Sequence, residues 1–229
     1  MKQVAKSLVI VGAMLAAGSA AADMDDFSVR PFVGFDVSQT WMEGKGTLAN
    51  TNVRNHRIFR KTYPGATVYV GTKFTDCFGI ELGADWSSSK KRTVTDSTTV
   101  AGSSFTLSQK VRREGYHADL VGFLPMDCWE LFGSLGVGSV KLKLSDRTES
   151  STGAAATFNN QFPLSVKRKT VARVGIGANY MVTDCVGLRI KAGWENTERL
   201  RLKYFNNVVP HQKAFKNSTT LAVGAFYRW

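Results

Sequence analysis

Apolar and polar residues alternate along eight segments of this 229-residue chain, and this period of two constrains the fold more than any other feature. Because successive side chains of a β-strand point to opposite faces, strict alternation predicts a strand with one apolar and one polar face. In the first segment Val29, Val33 and Val37 share the apolar parity, while Arg30 and Asp36 have the polar parity. The eight predicted strands cover about residues 27–37, 66–74, 78–86, 116–124, 129–137, 172–180, 186–194 and 221–229.

The connections between these segments are strongly unequal. Tight turns are predicted at 76–77, 126–128 and 184–185, whereas the other connections are long and polar, at about residues 43–62, 87–112, 141–169 and 196–218. An internal repeat supports this arrangement of turns and strands. DCFGIELGADW at 76–86 matches DCVGLRIKAGW at 184–194, and each copy runs from a tight turn along a strand to a tryptophan. Short turns at one end and long loops at the other are typical of transmembrane β-barrels.

The first 22 residues have the order of a secretory signal peptide. Lys2 and Lys6 precede an apolar stretch at 8–17, and three alanines at 20–22 offer a cleavage site. The apolar stretch is shorter than the roughly 20 residues that a spanning helix needs. We therefore predict a signal peptide at 1–22 and one barrel domain at 23–229.

Aromatic residues cluster at both ends of the predicted strands. Trp86 and Trp194 fall at the loop end, and Trp129, Tyr180 and Trp229 at the turn end. Two such girdles mark membrane interfaces, so the apolar face is predicted to meet lipid and the polar face to line the lumen. The predicted fold is all-β: an eight-stranded antiparallel up-and-down transmembrane β-barrel in the outer membrane, with short periplasmic turns and four long extracellular loops.

The central hairpin GFLPMDCWELFGSLGVG at 122–138 resembles that of the OmpA-like and opacity-protein class of eight-stranded outer-membrane barrels. The resemblance covers nearly all of residues 23–229. It implies recognition by the outer-membrane assembly machinery through the last strand, with Tyr227 and Trp229 as the aromatic signal. No segment resembles the peptidoglycan-binding domain of full-length OmpA proteins, so cell-wall anchoring is not expected.

A charge network is predicted inside the barrel. An eight-stranded barrel has an interior just wide enough for its own side chains to fill. The third and seventh strands face one another across such a barrel, and the repeat places Glu81 and Arg189 at equivalent heights. We expect this pair to close the lumen together with four neighbours: Arg30, Lys73, Glu130 and Arg228.

Positive charge is concentrated in the long loops. Each loop has four more basic than acidic residues, while the turns carry Asp76, Asp127 and Asp184. The candidate polyanion-binding residues are Arg54, Arg57, Arg60, Lys61, Lys90, Lys91 and Arg92. The expected partners are outer-membrane lipid and lipopolysaccharide, with an external polyanion such as a sulfated host glycan as the alternative. Nucleic acid is not expected, because no array of stacking aromatic residues accompanies the charges, and the protein is predicted to be a monomer or weak oligomer.

Three classes of function fit a small barrel: a surface interaction protein, a narrow or gated small porin, and a lipid A-modifying enzyme. We favour the first and expect neither catalysis nor a cofactor. His117 has lumen parity, and His56 and His211 lie in loops without a serine two residues later. The cysteines lack any C-x-x-C pairing, and their turns should stand roughly 10 Å apart, so neither zinc nor an intramolecular disulfide is expected for Cys77, Cys128 and Cys185.

Overall fold

The computed structural model describes residues 28–44, 62–88, 90–97, 103–152, 160–165, 168–197, 201–202, 212–213 and 215–229, so the predicted signal peptide lies outside the described residues. No helix in this described part is long and apolar enough to cross a membrane. Its twelve strands are β1 (Arg30–Gly44), β2 (Thr62–Thr75), β3 (Phe78–Ser87), β4 (Lys90–Ser97), β5 (Ser103–Met126), β6 (Trp129–Thr152), β7 (Asn160–Ser165), β8 (Lys169–Met181), β9 (Val186–Glu195), β10 (Arg201–Leu202), β11 (Gln212–Lys213) and β12 (Phe215–Arg228).

Eight of these strands form a closed antiparallel ring in the order β1-β2-β3-β5-β6-β8-β9-β12. The ring closes where β1 pairs with β12, with Val37 opposite Val223. Closure leaves no strand edge inside the ring, so neighbouring strands can satisfy the backbone groups that a hydrocarbon environment requires to be hydrogen-bonded. The predicted eight-stranded barrel is confirmed.

Two of the predicted long loops are wrong in part. β5 and β6 are 24 residues each and continue as a paired ladder beyond the predicted strands, up to Ser103 opposite Thr152. β4 pairs with β5 and β7 pairs with β6, so the segments predicted as loops 87–112 and 141–169 contain much regular strand. Their Ser, Thr and Lys content indicates loops, but β-branched residues such as Thr93, Val94 and Thr95 also favour strands.

The two faces of the barrel differ as the alternation predicts. On the outer face Val37, Val70 and Leu188 each expose half or more of their surface, whereas Glu81 and Arg189 on the inner face are buried. Trp86 and Trp129 are exposed on the outer face at opposite ends of the barrel. The outer face is therefore an apolar surface bounded by aromatic rings, and it meets lipid.

The tight turns carry the three cysteines and are tied to the next hairpin along the ring. The backbone carbonyl of Cys77 accepts a hydrogen bond from the amide of Phe123 at 2.8 Å, and the carbonyl of Cys128 accepts one from Met181 at 2.9 Å. The carbonyl of Cys185 accepts the equivalent bond from Arg228 at 2.8 Å. All three thiols are free.

Candidate functional site

The middle of the lumen is closed by ion pairs centred on Glu81 of β3. Arg189 of β9, on the opposite wall, donates from Nη1 to Glu81 Oε2 at 2.6 Å. Lys191 Nζ lies 3.2 Å from Glu81 Oε1 and 3.4 Å from Asp119 Oδ2. The Glu81 and Arg189 side chains are only 1% and 3% exposed, so this layer separates the two halves of the lumen.

A second group of charges fills the extracellular half. Arg173 Nη1 donates to Asp85 Oδ2 at 2.7 Å and lies 2.8 Å from Glu195 Oε1. Arg113 Nη2 donates to the other oxygen of Glu195 at 2.5 Å. His117 Nδ1 lies 3.1 Å from Asp85 Oδ2, which joins the ring of this histidine to the network.

The periplasmic half is closed by a smaller group. Lys73 donates to Glu130 Oε2, and Asn179 Nδ2 donates to Glu130 Oε1 at 2.8 Å. The Lys73 ammonium also lies 4.2 Å from the centre of the Phe123 ring, within range of a cation–π interaction. Both charges are nearly buried, so they compensate one another away from water.

Aromatic side chains inside the barrel were missed by the sequence analysis. Two clusters lie in the periplasmic half: Phe32, Tyr69 and Phe226, and Val121, Phe123 and Phe132. The Arg189 guanidinium stacks 4.5 Å from the Tyr69 ring and 4.3 Å from the Phe132 ring. Their positions in the sequence could have identified them, because these aromatic residues have the same strand parity as the charged residues that face the lumen.

One cavity lies on each side of the Glu81–Arg189 layer. The outer cavity has a volume of about 40 Å³ and reaches Asp36, Arg113 and Glu195. The inner cavity has a volume of about 20 Å³ between Arg30, Phe226 and Arg228. A water molecule needs about 10–15 Å³ by this measure, so each cavity has room for only one or a few waters. Described side chains therefore fill most of the lumen above, within and below this layer.

Two residues of the predicted interior network, Arg30 and Arg228, lie at its periplasmic end, where they line the inner cavity with Lys73 and Glu130. Arg30 forms an ion pair with Asp76 at 2.6 Å, and both side chains are about half exposed. Arg228 donates from Nε to the backbone carbonyl of Asp184 at 2.9 Å. Arg30 and Arg228 thus lie at the periplasmic mouth of the lumen, and the contacts described for them are with the tight turns rather than with the Glu81–Arg189 layer.

Glu81, His117 and Asp119 offer one oxygen, one nitrogen and one oxygen within 4.8 Å of one another, a spacing that could hold a metal ion. However, Lys191 Nζ already provides a positive charge between the two carboxylates. We therefore interpret the group as part of the ion-pair network.

The candidate polyanion-binding residues fall into two parts. Arg54, Arg57, Arg60 and Lys61 lie outside the described residues. Lys90, Lys91 and Arg92 lie on β4, where they pair with Val111, Lys110 and Gln109. The assembly-signal residues Tyr227 and Trp229 lie at the turn end of β12, exposed on the outer face, with ring centres 5.1 Å apart.

Four further basic residues form what we call the outer-wall cluster: Arg112, Lys141, Lys143 and Arg168. Arg112 of β5 is directly opposite Lys143 of β6, and both side chains are half exposed. Glu114 is bridged by Arg112 at 3.2 Å and by Lys143 at 2.9 Å. The sequence analysis counted these bases among the loop charges, whereas Arg112, Lys141 and Lys143 lie on strands and Arg168 immediately precedes β8.

A closed ring with an apolar outer surface and a charged, filled lumen defines a small outer-membrane barrel protein. The chain matches the model of the outer membrane protein beta-barrel domain over residues 8–228, and it belongs to that family. Its location is the outer membrane.

Solved structures with this fold include the outer membrane protein OprG from Pseudomonas aeruginosa, with a TM-score of 0.57 at 10% identity over 89% of this chain and 97% of OprG. A second is Ail, the attachment invasion locus protein of Yersinia pestis, in complex with the heparin analogue sucrose octasulfate. Its TM-score is 0.49 at 15% identity, over 88% of this chain and 99% of Ail. No curated protein sequence gives a significant match.

Proposed function

We propose that this outer-membrane barrel is a surface interaction protein whose basic extracellular side binds polyanions, either lipopolysaccharide or an external sulfated or phosphorylated chain. The observation that carries the proposal is the separation of charge along the barrel axis. Four segments, which include the outer ends of the strands as well as loops, each have four more basic than acidic residues: 43–62, 87–112, 141–169 and 196–218. Each tight turn at the opposite rim has an aspartate. The electrostatic potential is therefore positive at the extracellular end of the barrel, and it concentrates anions there.

The filled lumen supports an interaction role over transport. Ion pairs occupy the lumen above, within and below the Glu81–Arg189 layer. We also propose that the barrel has no catalytic activity. His117, the histidine of the described residues, has a side chain that is 1% exposed inside the lumen and is remote from any lipid substrate at the outer face.

Heparin affinity of the purified barrel tests the proposal. The variant Arg57→Gln/Arg60→Gln should elute from immobilised heparin at lower salt than the wild type, because binding through exposed charges is screened by salt. The matched control is Arg30→Gln/Arg228→Gln, which removes the same charge from the periplasmic mouth and should elute like the wild type. Equal elution of all three proteins would contradict the proposal.

A narrow gated channel is the second candidate, and the observation that favours it is a cavity on each side of the Glu81–Arg189 layer. Conductance in a planar bilayer distinguishes the candidates. If the barrel is an interaction protein, the wild type should not conduct ions. Glu81→Gln should raise the conductance only if the Glu81–Arg189 layer is what blocks ion flow. Regular wild-type openings would favour the channel.

A further inference from the structure

The outer-wall cluster lies on the lipid side of the barrel, not on the lumen side. On β5 the residues Arg112, Glu114 and Tyr116 continue the parity of Leu120, which is exposed to lipid, while Arg113 and His117 are buried in the lumen. On β6 Lys141 and Lys143 pair directly with Glu114 and Arg112, and thus share that outer face. These bases therefore point away from the lumen network.

The height of the cluster is set by the outer aromatic girdle. Trp86, exposed on the outer face, pairs directly with Glu114. Arg112 and Lys143 lie two residues further out, about 7 Å along the strands. This depth is the level of the lipid headgroups, just outside the hydrocarbon layer that an aromatic girdle marks.

The cluster has more positive charge than its own carboxylate can balance. Among the described residues, Glu114 is the acid in contact with both Arg112 and Lys143. These two bases are directly opposite one another on neighbouring strands, and like charges in that position destabilise a sheet. Arg168 reaches across the small Ser139 position to stack 4.6 Å from the Tyr116 ring, which is itself 57% exposed. Among the described residues, this surface presents four bases and one acid at the level of the headgroups, an arrangement that favours anions from outside the chain.

We propose that the outer-wall cluster is a binding site for the phosphate groups of outer-leaflet lipid, the phosphorylated glucosamine headgroup of lipopolysaccharide. The bases donate charge-assisted hydrogen bonds to the phosphate oxygens, and the Tyr116 ring holds the Arg168 guanidinium in place. The inference deepens the proposed function and rests on it, because the proposed function assigns this end of the barrel to the outside of the cell. It differs by assigning the lipid phosphates to the barrel wall, separately from the candidate loop residues.

Two variants with equal loss of charge separate the wall from the loops. The wall variant is Arg112→Gln/Lys141→Gln/Lys143→Gln/Arg168→Gln, and the loop variant is Arg54→Gln/Arg57→Gln/Arg60→Gln/Lys61→Gln. Each purified barrel is titrated with fluorescent bis-phosphorylated lipid A and with the same lipid after removal of both phosphates. Heparin affinity is measured on the same samples, and a change of migration on boiling reports folding.

The wild type should prefer phosphorylated lipid A by at least about tenfold, because each base near a lipid surface strengthens binding several-fold. The wall variant should lose this preference and keep its heparin affinity, while the loop variant should keep the preference. The charge-conserving variant Lys141→Arg/Lys143→Arg should bind like the wild type. The smaller variant Lys141→Gln/Lys143→Gln should lose part of the preference, and serves as the test if the wall variant does not fold.

Three outcomes would overturn the inference: no phosphate preference in the wild type, an unchanged preference in the wall variant, or equal losses in both variants. A failure of the polyanion proposal would give another result. The loop variant would then keep the heparin affinity of the wild type, whether or not the preference for phosphorylated lipid A changes.

Discussion

Arg189 combines three interactions in the middle of the lumen. It donates to Glu81 at 2.6 Å and stacks between the rings of Tyr69 and Phe132. Guanidinium groups are suited to this combination, because they are planar and donate in several directions. Its removal would leave Glu81 with two longer contacts, to Lys191 Nζ at 3.2 Å and to His117 Nε2 at 3.8 Å.

We predict that Arg189→Ala lowers the free energy of unfolding by about 3–5 kcal/mol, the usual effect of removing one partner of a buried ion pair. Arg189→Lys should cost less, because it keeps the charge and loses the stacking. Denaturant titration of barrels refolded in lipid vesicles measures both. Arg228→Ala at the exposed mouth is the control, and an Arg189→Ala barrel as stable as this control would show that the central layer contributes little.

The three thiols are predicted to differ in reactivity. Cys128 and Cys185 are exposed at the turn end of the barrel, and Cys77 is buried. A maleimide polymer should therefore add rapidly to two cysteines of the folded barrel and to three after boiling in detergent. A single Cys77→Ser substitution should leave the rapid count at two. Rapid addition to Cys77 in the folded protein would contradict the packing at the β2–β3 turn.

At the scale of the strands, rings inside the barrel pack over glycines on the neighbouring strand. Phe32 of β1 is directly opposite Gly71 of β2, and Phe226 of β12 is opposite Gly187 of β9. A Cβ atom at Gly71 would run into the Phe32 ring and lie 2.5 Å from the carbonyl oxygen of Ile80. The glycine thus allows the ring to lie against the wall of a narrow lumen.

We predict that Gly71→Ala destabilises the barrel by about 1–3 kcal/mol, since the ring must leave its site. Gly193 provides the matched control, because the nearest atom to an added Cβ there is a carbonyl oxygen at 3.8 Å. Gly193→Ala should change stability by less than about 0.5 kcal/mol. The two variants are compared by denaturant titration, and equal effects would exclude close ring packing as the reason for glycine at 71.

The strands of the barrel could be predicted because a half-buried strand imposes a period of two, whatever its exact composition. The Glu81–Arg189 pair could be placed because an internal repeat fixes the two residues at equivalent positions. The contacts of Arg30 and Arg228 with the tight turns could not be predicted, because strand parity carries no information on depth along the barrel axis. The outer ends of β5 and β6 were missed because their serine and threonine residues favour loops as well as strands.

The outer-wall cluster could not be recognised for a related reason. Charge counting finds Arg112, Lys141, Lys143 and Arg168, but only the register places them together on the outer face. The interior rings were missed because charge dominates the polar parity. Phe32 and Tyr69 then interrupt what otherwise resembles a hydrophilic face.

On the scale of the whole molecule, the barrel is a closed cylinder that keeps its excess positive charge on the extracellular side. Its net charge of +12 is smaller than the surplus in the four long loops, because the acidic residues are concentrated elsewhere. A filled lumen makes the cylinder rigid, and rigid scaffolds with variable loops are a common way to present a binding surface. The central claim is that this side binds polyanions.

Binding of fluorescent heparin to intact cells tests that claim most directly. Cells producing the wild-type barrel should bind heparin at low salt and release it as the salt concentration rises towards 1 M. At that concentration salt screens the attraction between charges beyond a Debye length of about 3 Å. Cells with an equal surface amount of the Arg54→Gln/Arg57→Gln/Arg60→Gln/Lys61→Gln variant should bind several-fold less. Equal heparin binding by the two cell populations at every salt concentration would contradict the account.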